Sequence, residues 1–235
     1  MTSADVSGRT YRQSRFAPPP GAAEILLIRH GESQPLRPGE SFPLVAGQGD
    51  PELAPEGRDQ AERVGLRLGG EHIDAIYVST LRRTAQTAAP LARELGLTPH
   101  VDADLREVHL GAWEGGLFRV KVAENDPVAQ KLFREERWDV IPGAEDGEAF
   151  AERVRSVIRR LAAANAGRRL AVFTHGGFIA QALAQATRSR PFAFLGADNA
   201  SISHLVVVGD HWILRRFNDT AHLDGALARS AAPLT

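Results

Sequence analysis

The 235-residue sequence contains no cysteine, which excludes disulfide bonds, thiolate metal ligands and thiol nucleophiles together. It also has almost no net charge, because 28 Lys and Arg residues face 29 Asp and Glu residues, for a formal charge of -1. A near-neutral chain has no general attraction for nucleic acid or for an anionic membrane, so any anion binding must be local. We therefore expect a cytoplasmic protein whose partners include neither nucleic acid nor membrane.

Long apolar runs are missing as well. No uninterrupted apolar stretch approaches the ~20 residues of a membrane-spanning helix, and the first 22 residues lack the apolar core of a secretory signal. Those residues are polar, and three consecutive prolines, Pro18 to Pro20, favour an extended spacer. We predict a disordered N-terminal arm over residues 1–22 and a single domain over residues 23–235.

From Glu24 onward, short apolar strands alternate with amphipathic helices. This order predicts a three-layer α/β/α sandwich with a mostly parallel central sheet, and the irregular stretch at about residues 108–150 predicts an inserted helical cap. In the helix between Leu81 and Gly96, alanine spacing predicts an apolar face, and Pro90 predicts a bend or a boundary. That face comprises Ala85, Ala88, Ala89, Ala92 and Leu95.

Histidines and arginines follow three of the predicted strands. The strand ILLI leads to Arg29 and His30, AIYVS leads to Arg82 and Arg83, and LAVFT leads to His175. The carboxyl ends of parallel strands form the ligand crevice of an open α/β sheet, where helix N-termini supply further N–H donors. Imidazoles and guanidinium groups gathered there favour a small, multiply charged anion, and phosphate is the obvious candidate.

Each junction has a simpler interpretation when it is taken alone. A histidine followed by glycine after a strand is commonly a turn, and a pair of arginines is commonly a solvated helix face. Two histidines with a carboxylate could also bind zinc, but neighbouring arginines would repel a divalent cation. We therefore expect a phosphate site without a metal ion or a cofactor.

Four motifs in this order resemble those of the histidine phosphatase superfamily, which includes the cofactor-dependent phosphoglycerate mutases. They are RHGES at Arg29–Ser33, STLRRTAQTA at Ser79–Ala88, LREVHLGAWEG at Leu105–Gly115 and THGG at Thr174–Gly177. The closing NDTAHL at Asn218–Leu223 is similar to many members of the phosphatase branch.

The resemblance implies three catalytic residues. His30 would attack phosphorus and form a phosphohistidine, Glu107 would protonate the leaving alcohol and later activate water, and His175 would donate a hydrogen bond as charge develops. The implied phosphate-binding residues are Arg29, Arg83, His175, Ser33 and Gly176, while Arg82 should point elsewhere on its helix. For Ser33, a capping role in a turn or helix is the alternative.

The chain departs from the family pattern at two places. Family members often carry an asparagine where this sequence has Leu36, and the loop Gln34–Glu52 is longer than usual. Where mutases of the family place a substrate-binding lysine, this chain has Phe118. Acidic residues also outnumber basic ones by nine to five between Val108 and Phe150, which suits a monophosphate better than a bisphosphate.

The sequence therefore predicts a phosphomonoesterase that hydrolyses a small phosphorylated metabolite through a phosphohistidine. A cofactor-dependent mutase and a non-catalytic phospholigand-binding or protein-interaction module are the alternatives. His109 is a candidate for the pocket lining, Trp113 and Trp138 either pack the cap or contact substrate, and a homodimer is left open.

Overall fold

The computed structural model describes residues 12–223, where six strands form one sheet and a two-stranded ribbon lies apart from it. The elements of the first half are β1 (Ala23–Arg29), β2 (Leu44–Val45), β3 (Gln48–Gly49), α1 (Pro55–Gly69), β4 (Ala75–Val78), α2 (Arg82–Leu95) and β5 (His100–Val101). Those of the second half are α3 (Leu117–Ala123), α4 (Pro127–Glu135), α5 (Gly147–Ala164), β6 (Arg169–Thr174), α6 (Gly176–Thr187), β7 (Ile202–Val208) and β8 (His211–Asp219).

The sheet has the strand order β5-β4-β6-β1-β7-β8. Strands β5, β4, β6 and β1 are parallel, and β7 is antiparallel to both of its neighbours. Side chains of β1 alternate between two apolar clusters, as the period of two along a strand requires. Ile25 and Leu27 pack into the cluster under α5 and α6, whereas Leu26 and Ile28 pack under α1 and α2. The predicted three-layer α/β fold is confirmed.

The register of the parallel strands aligns their carboxyl ends. Arg29 at the end of β1 lies beside Thr174 at the end of β6, and Val78 at the end of β4 lies beside Phe173. Consequently the residues that follow these strands, including His30 and His175, emerge at the same edge of the sheet.

Helix α2 buries only part of the predicted alanine face: Ala88 is buried, Ala92 and Leu95 are partly buried, and Ala85 and Ala89 are exposed to solvent. Thr84, Thr87 and Leu91 are buried as well. Burial of the two threonines is possible because their hydroxyls are hydrogen-bonded: for example, Thr87 Oγ1 donates to the Arg83 carbonyl at 2.7 Å. The helix also continues through Pro90, which therefore marks no boundary.

The stretch predicted as a cap, residues 108–150, contains α3, α4 and two short 3₁₀ turns at Gly111–Trp113 and Trp138–Val140. Of the predicted N-terminal arm, residues 1–11 lie outside the described residues, and residues 12–22 contain no helix or strand. In that segment the Phe16 ring contacts the Arg215 guanidinium, 3.7 Å from the ring centroid. None of the helices between residues 12 and 223 has the length and apolar character needed to cross a membrane.

Candidate active site

His30 follows the last residue of β1, at the edge where the buried strands end. Its side chain is only 7% exposed, and Nδ1 lies 2.7 Å from the carbonyl oxygen of Gly31. A carbonyl oxygen only accepts, so Nδ1 carries the proton and Nε2 keeps its lone pair. Burial, together with the charges of Arg83 and Arg29, lowers the pKa of His30 well below its ordinary value. The imidazole is therefore neutral at pH 7, which is its nucleophilic form.

Two arginines, the half-buried Arg29 and the buried Arg83, line the cavity that His30 also lines. Arg29 donates from Nη1 to the Ala197 carbonyl at 2.6 Å, and Arg83 donates from Nη1 to the Gly49 carbonyl at 2.9 Å. Burial lowers the pKa of Arg83 to about 10, so this guanidinium stays charged at neutral pH. These hydrogen bonds fix the orientation of both guanidinium groups in the wall of the cavity.

His175 follows β6 and is completely buried, with its ring centroid 5.2 Å from that of His30. Arg83 Nη2 donates to Nδ1 of His175 at 3.2 Å, so Nε2 carries the proton and faces Ser79 Oγ at 2.9 Å. Burial, and next to it the charge of Arg83, lowers the pKa of His175 well below its ordinary value. The ring orients Arg83 and does not line the cavity, so its predicted hydrogen bond to phosphate stays a prediction.

Glu107 brings its carboxylate to the N-terminus of α6. It accepts three backbone hydrogen bonds, two of them from Gly177 at 3.0 Å and Phe178 at 3.1 Å. The dipole of a helix favours an anion at this position. The Glu107 backbone is held as well, because its carbonyl accepts from Gln48 Nε2 at 2.8 Å and from Arg153 Nη2 at 3.2 Å. The carboxylate thus has a fixed place in the wall of the same cavity.

A third arginine reaches the cavity from the cap, and sequence reasoning gave it no role in the site. Arg119 of α3 donates from Nη2 to Ser33 Oγ at 2.6 Å and from Nη1 to the Gln34 carbonyl at 2.8 Å. Burial lowers the pKa of Arg119, and its charge adds to the lowering of the His30 pKa. Ser33, predicted to contact phosphate or to cap a turn, therefore also anchors the cap.

Leu36, at the position where the family often has asparagine, packs against the cap. A Cβ added to Gly116 would lie 3.0 Å from Leu36 Cδ1 and 2.9 Å from the ring of Phe42. The Phe42 backbone N–H also donates to the Gly115 carbonyl at 2.8 Å. The loop Gln34–Glu52 therefore forms apolar and backbone contacts with the cap at this place.

The cavity has a volume of about 440 Å³, within the usual range for small-molecule sites. It brings together six of the predicted residues: Arg29, His30, Ser33, Arg83, Glu107 and Gly176. Trp113 and Trp138 both pack the cap and line the cavity, whereas His109 does not line it. Arg82 points away, as expected, and pairs with Asp50 at 2.8 Å. Within residues 12–223, no group of three or more His, Cys, Asp or Glu side chains is arranged to hold a metal ion.

Sequence reasoning missed two asparagines near the nucleophile, Asn199 and Asn218. Asn199 Nδ2 donates to the backbone carbonyl of His30 at 2.9 Å. Asn218 Oδ1 accepts a hydrogen bond from the backbone N–H of Asp198, and Asn218 Nδ2 donates to the Asp198 carboxylate, both at 2.7 Å. Asn218 opens the NDTAHL motif, so a signal was present in the sequence. Its role could not be seen, because the partner loop lies 20 residues away.

Comparisons with known proteins identify the family of this chain. The family description "Histidine phosphatase superfamily (branch 1)" matches residues 25–220. The chain is 34% identical to phosphoglycerate mutase-like protein 4 of Arabidopsis thaliana over 209 residues, which covers 86% of this chain and 87% of that one. It is 32% identical to a metal-independent phosphoserine phosphatase of the same plant over 206 residues, or 85% and 83% of the two chains.

A solved structure, that of a mycobacterial glucosyl-3-phosphoglycerate phosphatase, superposes with a TM-score of 0.69 at 29% identity. The match covers 85% of this chain and 100% of that one. Together with the match of the family over most of the chain, these similarities confirm the resemblance carried by the four motifs. The chain therefore belongs to branch 1 of the histidine phosphatase superfamily and is an enzyme of the histidine phosphatase type.

Proposed function

We propose that this protein is a phosphomonoesterase that transfers the phosphoryl group of a small substrate to His30 and then to water. One observation carries the proposal: a neutral imidazole shares a single cavity with two guanidinium groups, those of Arg29 and Arg83, and with the carboxylate of Glu107. A neutral ring next to fixed positive charge is suited to attack a phosphate dianion, because the charges stabilise the oxygens without protonating the nucleophile.

In the first step, the lone pair of His30 Nε2 attacks phosphorus, and the bond from phosphorus to the ester oxygen breaks. The leaving oxygen takes a proton from the protonated form of Glu107, and the product alcohol departs. Arg29 and Arg83 bind the non-bridging oxygens, with the backbone of Gly176 and the hydroxyl of Ser33 at the same cavity wall. Charge-assisted hydrogen bonds of this kind contribute about 1.5–3 kcal/mol each.

In the second step, a water molecule gives a proton to Glu107 and attacks the phosphohistidine. The phosphorus–nitrogen bond breaks, its electron pair returns to Nε2, and inorganic phosphate leaves. Glu107 ends the cycle protonated, so protons balance over the two steps.

His175 supports both steps through Arg83. Its Nδ1 accepts a hydrogen bond from Arg83 Nη2 at 3.2 Å, which holds the guanidinium in the orientation from which we expect it to bind the phosphoryl oxygens. A direct hydrogen bond from His175 to the phosphoryl group stays a prediction, because the ring does not line the cavity.

Hydrolysis of 4-nitrophenyl phosphate by the purified protein, beside a His30→Ala variant, tests the proposal. We expect phosphate release by the wild type to persist in a chelator and to fall by at least about 10³-fold in the variant, because nucleophile and base act as a unit. Equal release by both proteins would refute the mechanism. Absence of release would favour a module that only binds phosphorylated ligands.

A mutase remains the second candidate, since one relative is named a phosphoglycerate mutase-like protein. Interconversion of 2- and 3-phosphoglycerate that depends on a bisphosphoglycerate primer, and exceeds hydrolysis, would replace the phosphatase proposal. The apolar position Phe118, where mutases of the family carry a lysine, supports hydrolysis.

A further inference from the structure

The cap covers the cavity with a row of aromatic side chains, which we call the aromatic wall: Trp113, Phe118 and Trp138. The ring of Phe118 lies between the two indoles, with centroid distances of 6.2 Å to Trp113 and 5.9 Å to Trp138. All three side chains line the cavity, and Leu110, Phe133 and Leu195 extend its apolar surface. Such a surface favours apolar or aromatic matter over a hydrated charge.

Arg29, Arg83 and Glu107 are assigned above to the phosphoryl group and to proton transfer. The other charged residues that line the cavity are Glu114, Asp198 and Arg119. Both oxygens of Glu114 accept backbone hydrogen bonds, at 2.7 Å from Gly49 and at 2.8 Å from Leu110. The two carboxylates would repel an anionic leaving group rather than bind it.

Arg119 is the single cation of that remaining set, and it is already engaged. Its two terminal nitrogens donate to Ser33 Oγ and to the Gln34 carbonyl, and its guanidinium lies 5.2 Å from the Phe42 ring centroid. These contacts tie Arg119 to the loop after β1, where its charge adds to that of Arg29 and Arg83. A carboxylate or a second phosphate on the substrate would therefore meet no cation dedicated to it among these lining residues.

We propose that the leaving group of the natural substrate is an uncharged apolar ring seated on the aromatic wall, so that the substrate is an aryl-type phosphomonoester with a single anionic group. This inference rests on the proposed phosphatase function, and it differs from the substrates that the names of the relatives indicate. A cavity of about 440 Å³ accommodates a phosphoryl group with one or two rings.

The test compares 1-naphthyl phosphate with O-phosphoserine and 3-phosphoglycerate. We expect kcat/KM for 1-naphthyl phosphate to exceed that for each of the others by at least about tenfold, the order of discrimination that an apolar pocket provides. In Phe118→Lys, the ratio of kcat/KM for 1-naphthyl phosphate to that for 3-phosphoglycerate should fall at least about tenfold. In Phe118→Leu, which keeps an apolar side chain, the same ratio should stay within about threefold of the wild-type ratio.

A binding measurement separates failure of this inference from failure of the proposed function. Isothermal titration of the His30→Ala variant, which lacks the nucleophile, should give tighter binding of 1-naphthyl phosphate than of 3-phosphoglycerate, again by about tenfold. Tighter binding or faster hydrolysis of O-phosphoserine or 3-phosphoglycerate, or no difference between the ligands, would overturn the inference even if the protein is a phosphatase. Selective binding of 1-naphthyl phosphate by His30→Ala, together with no hydrolysis by the wild type, would support the apolar ring site and refute the enzyme mechanism.

Discussion

Replacing Arg153 with methionine removes the side chain that holds the Glu107 segment to α5. Arg153 Nη1 donates to the carbonyls of Asp104 and Arg106 at 2.7 and 2.9 Å, and Nη2 donates to the Glu107 carbonyl at 3.2 Å. The same guanidinium forms a two-point ion pair with Glu145, at 2.8 and 2.7 Å. One side chain therefore satisfies three backbone acceptors and one carboxylate.

The magnitude follows from burial. The side chains of Arg153 and Glu145 are only 20% and 18% exposed, so removal of one partner leaves a carboxylate and several carbonyls poorly solvated. Breaking such a pair costs about 3–5 kcal/mol. A shift of the Glu107 carboxylate by about 1 Å lowers the rate by about 10²-fold. We expect Arg153→Met to lose about 3–5 kcal/mol of unfolding free energy and to show a lower kcat with little change in KM.

Urea unfolding and steady-state kinetics on 4-nitrophenyl phosphate measure the two effects. Arg155→Met is the matched control, because Arg155 lies on the same helix, is 44% exposed and pairs with Glu152, whose side chain is 66% exposed. Exposed pairs contribute about 0–1 kcal/mol, so this variant should behave as the wild type. Equal losses in the two variants, or an unchanged kcat in Arg153→Met, would refute the positioning role.

Two further predictions concern Glu107 and the buried histidines. A Cβ added at Gly177 would lie 2.5 Å from Glu107 Oε1, so Gly177→Ala should displace the carboxylate and lower kcat by about tenfold or more. The control is Gly147→Ala, where an added Cβ meets open space at the start of a helix and kcat should not change. Equal kcat values in the two variants would count against the role of Glu107. The pKa of His175 in the native state is below its value near 6.5 in the unfolded chain. Below pH 6.5 the unfolded chain therefore binds a proton that the native state does not bind, and the stability of the native state falls as the pH falls. Each such histidine contributes up to about 1.4 kcal/mol per pH unit to the slope of the unfolding free energy against pH. Between pH 6.5 and 5, His175→Asn should therefore lose less unfolding free energy than the wild type, as measured by urea titrations. Identical slopes for the two proteins would contradict a neutral, buried ring.

The sheet and the strand-end residues could be predicted because their signals are local. An apolar strand such as Ile25–Ile28 and the residue types directly after it are adjacent in sequence, and parallel strands bring their carboxyl ends together. Arg29, His30, Arg83 and Glu107 accordingly lie at one cavity. The resemblance of the motifs to a family supplied the roles that spacing alone left open.

The buried face of α2 could be predicted only in part. Alanines mark an apolar face only weakly, and Thr87 is buried because its hydroxyl has partners on two sides. It donates to the Arg83 carbonyl and accepts from the Gly31 N–H at 2.9 Å, and the second partner lies 56 residues away. Periodicity contains no information about such a distant donor.

The contacts between the cap and the rest of the domain could not be predicted either. Arg119 is one of the five basic residues between Val108 and Phe150, and nothing in its sequence context indicates that its side chain bonds to Ser33, 86 residues away, and so joins the cap to the loop after β1. Asn199 and Asn218 act through a loop whose path depends on β7 and β8. These placements follow from packing between distant segments, which neither composition nor spacing specifies.

The most direct test of the central claim is rapid chemical quench with a ³²P-labelled aryl phosphate, followed by mapping of the labelled residue in the wild type and in Glu107→Gln. The mechanism predicts an acid-labile, alkali-stable phosphoryl group on His30, formed in the wild type and accumulating in Glu107→Gln, where activation of water is slowed. Label on a different residue, or turnover by Glu107→Gln with no labelled protein at any time, would contradict it.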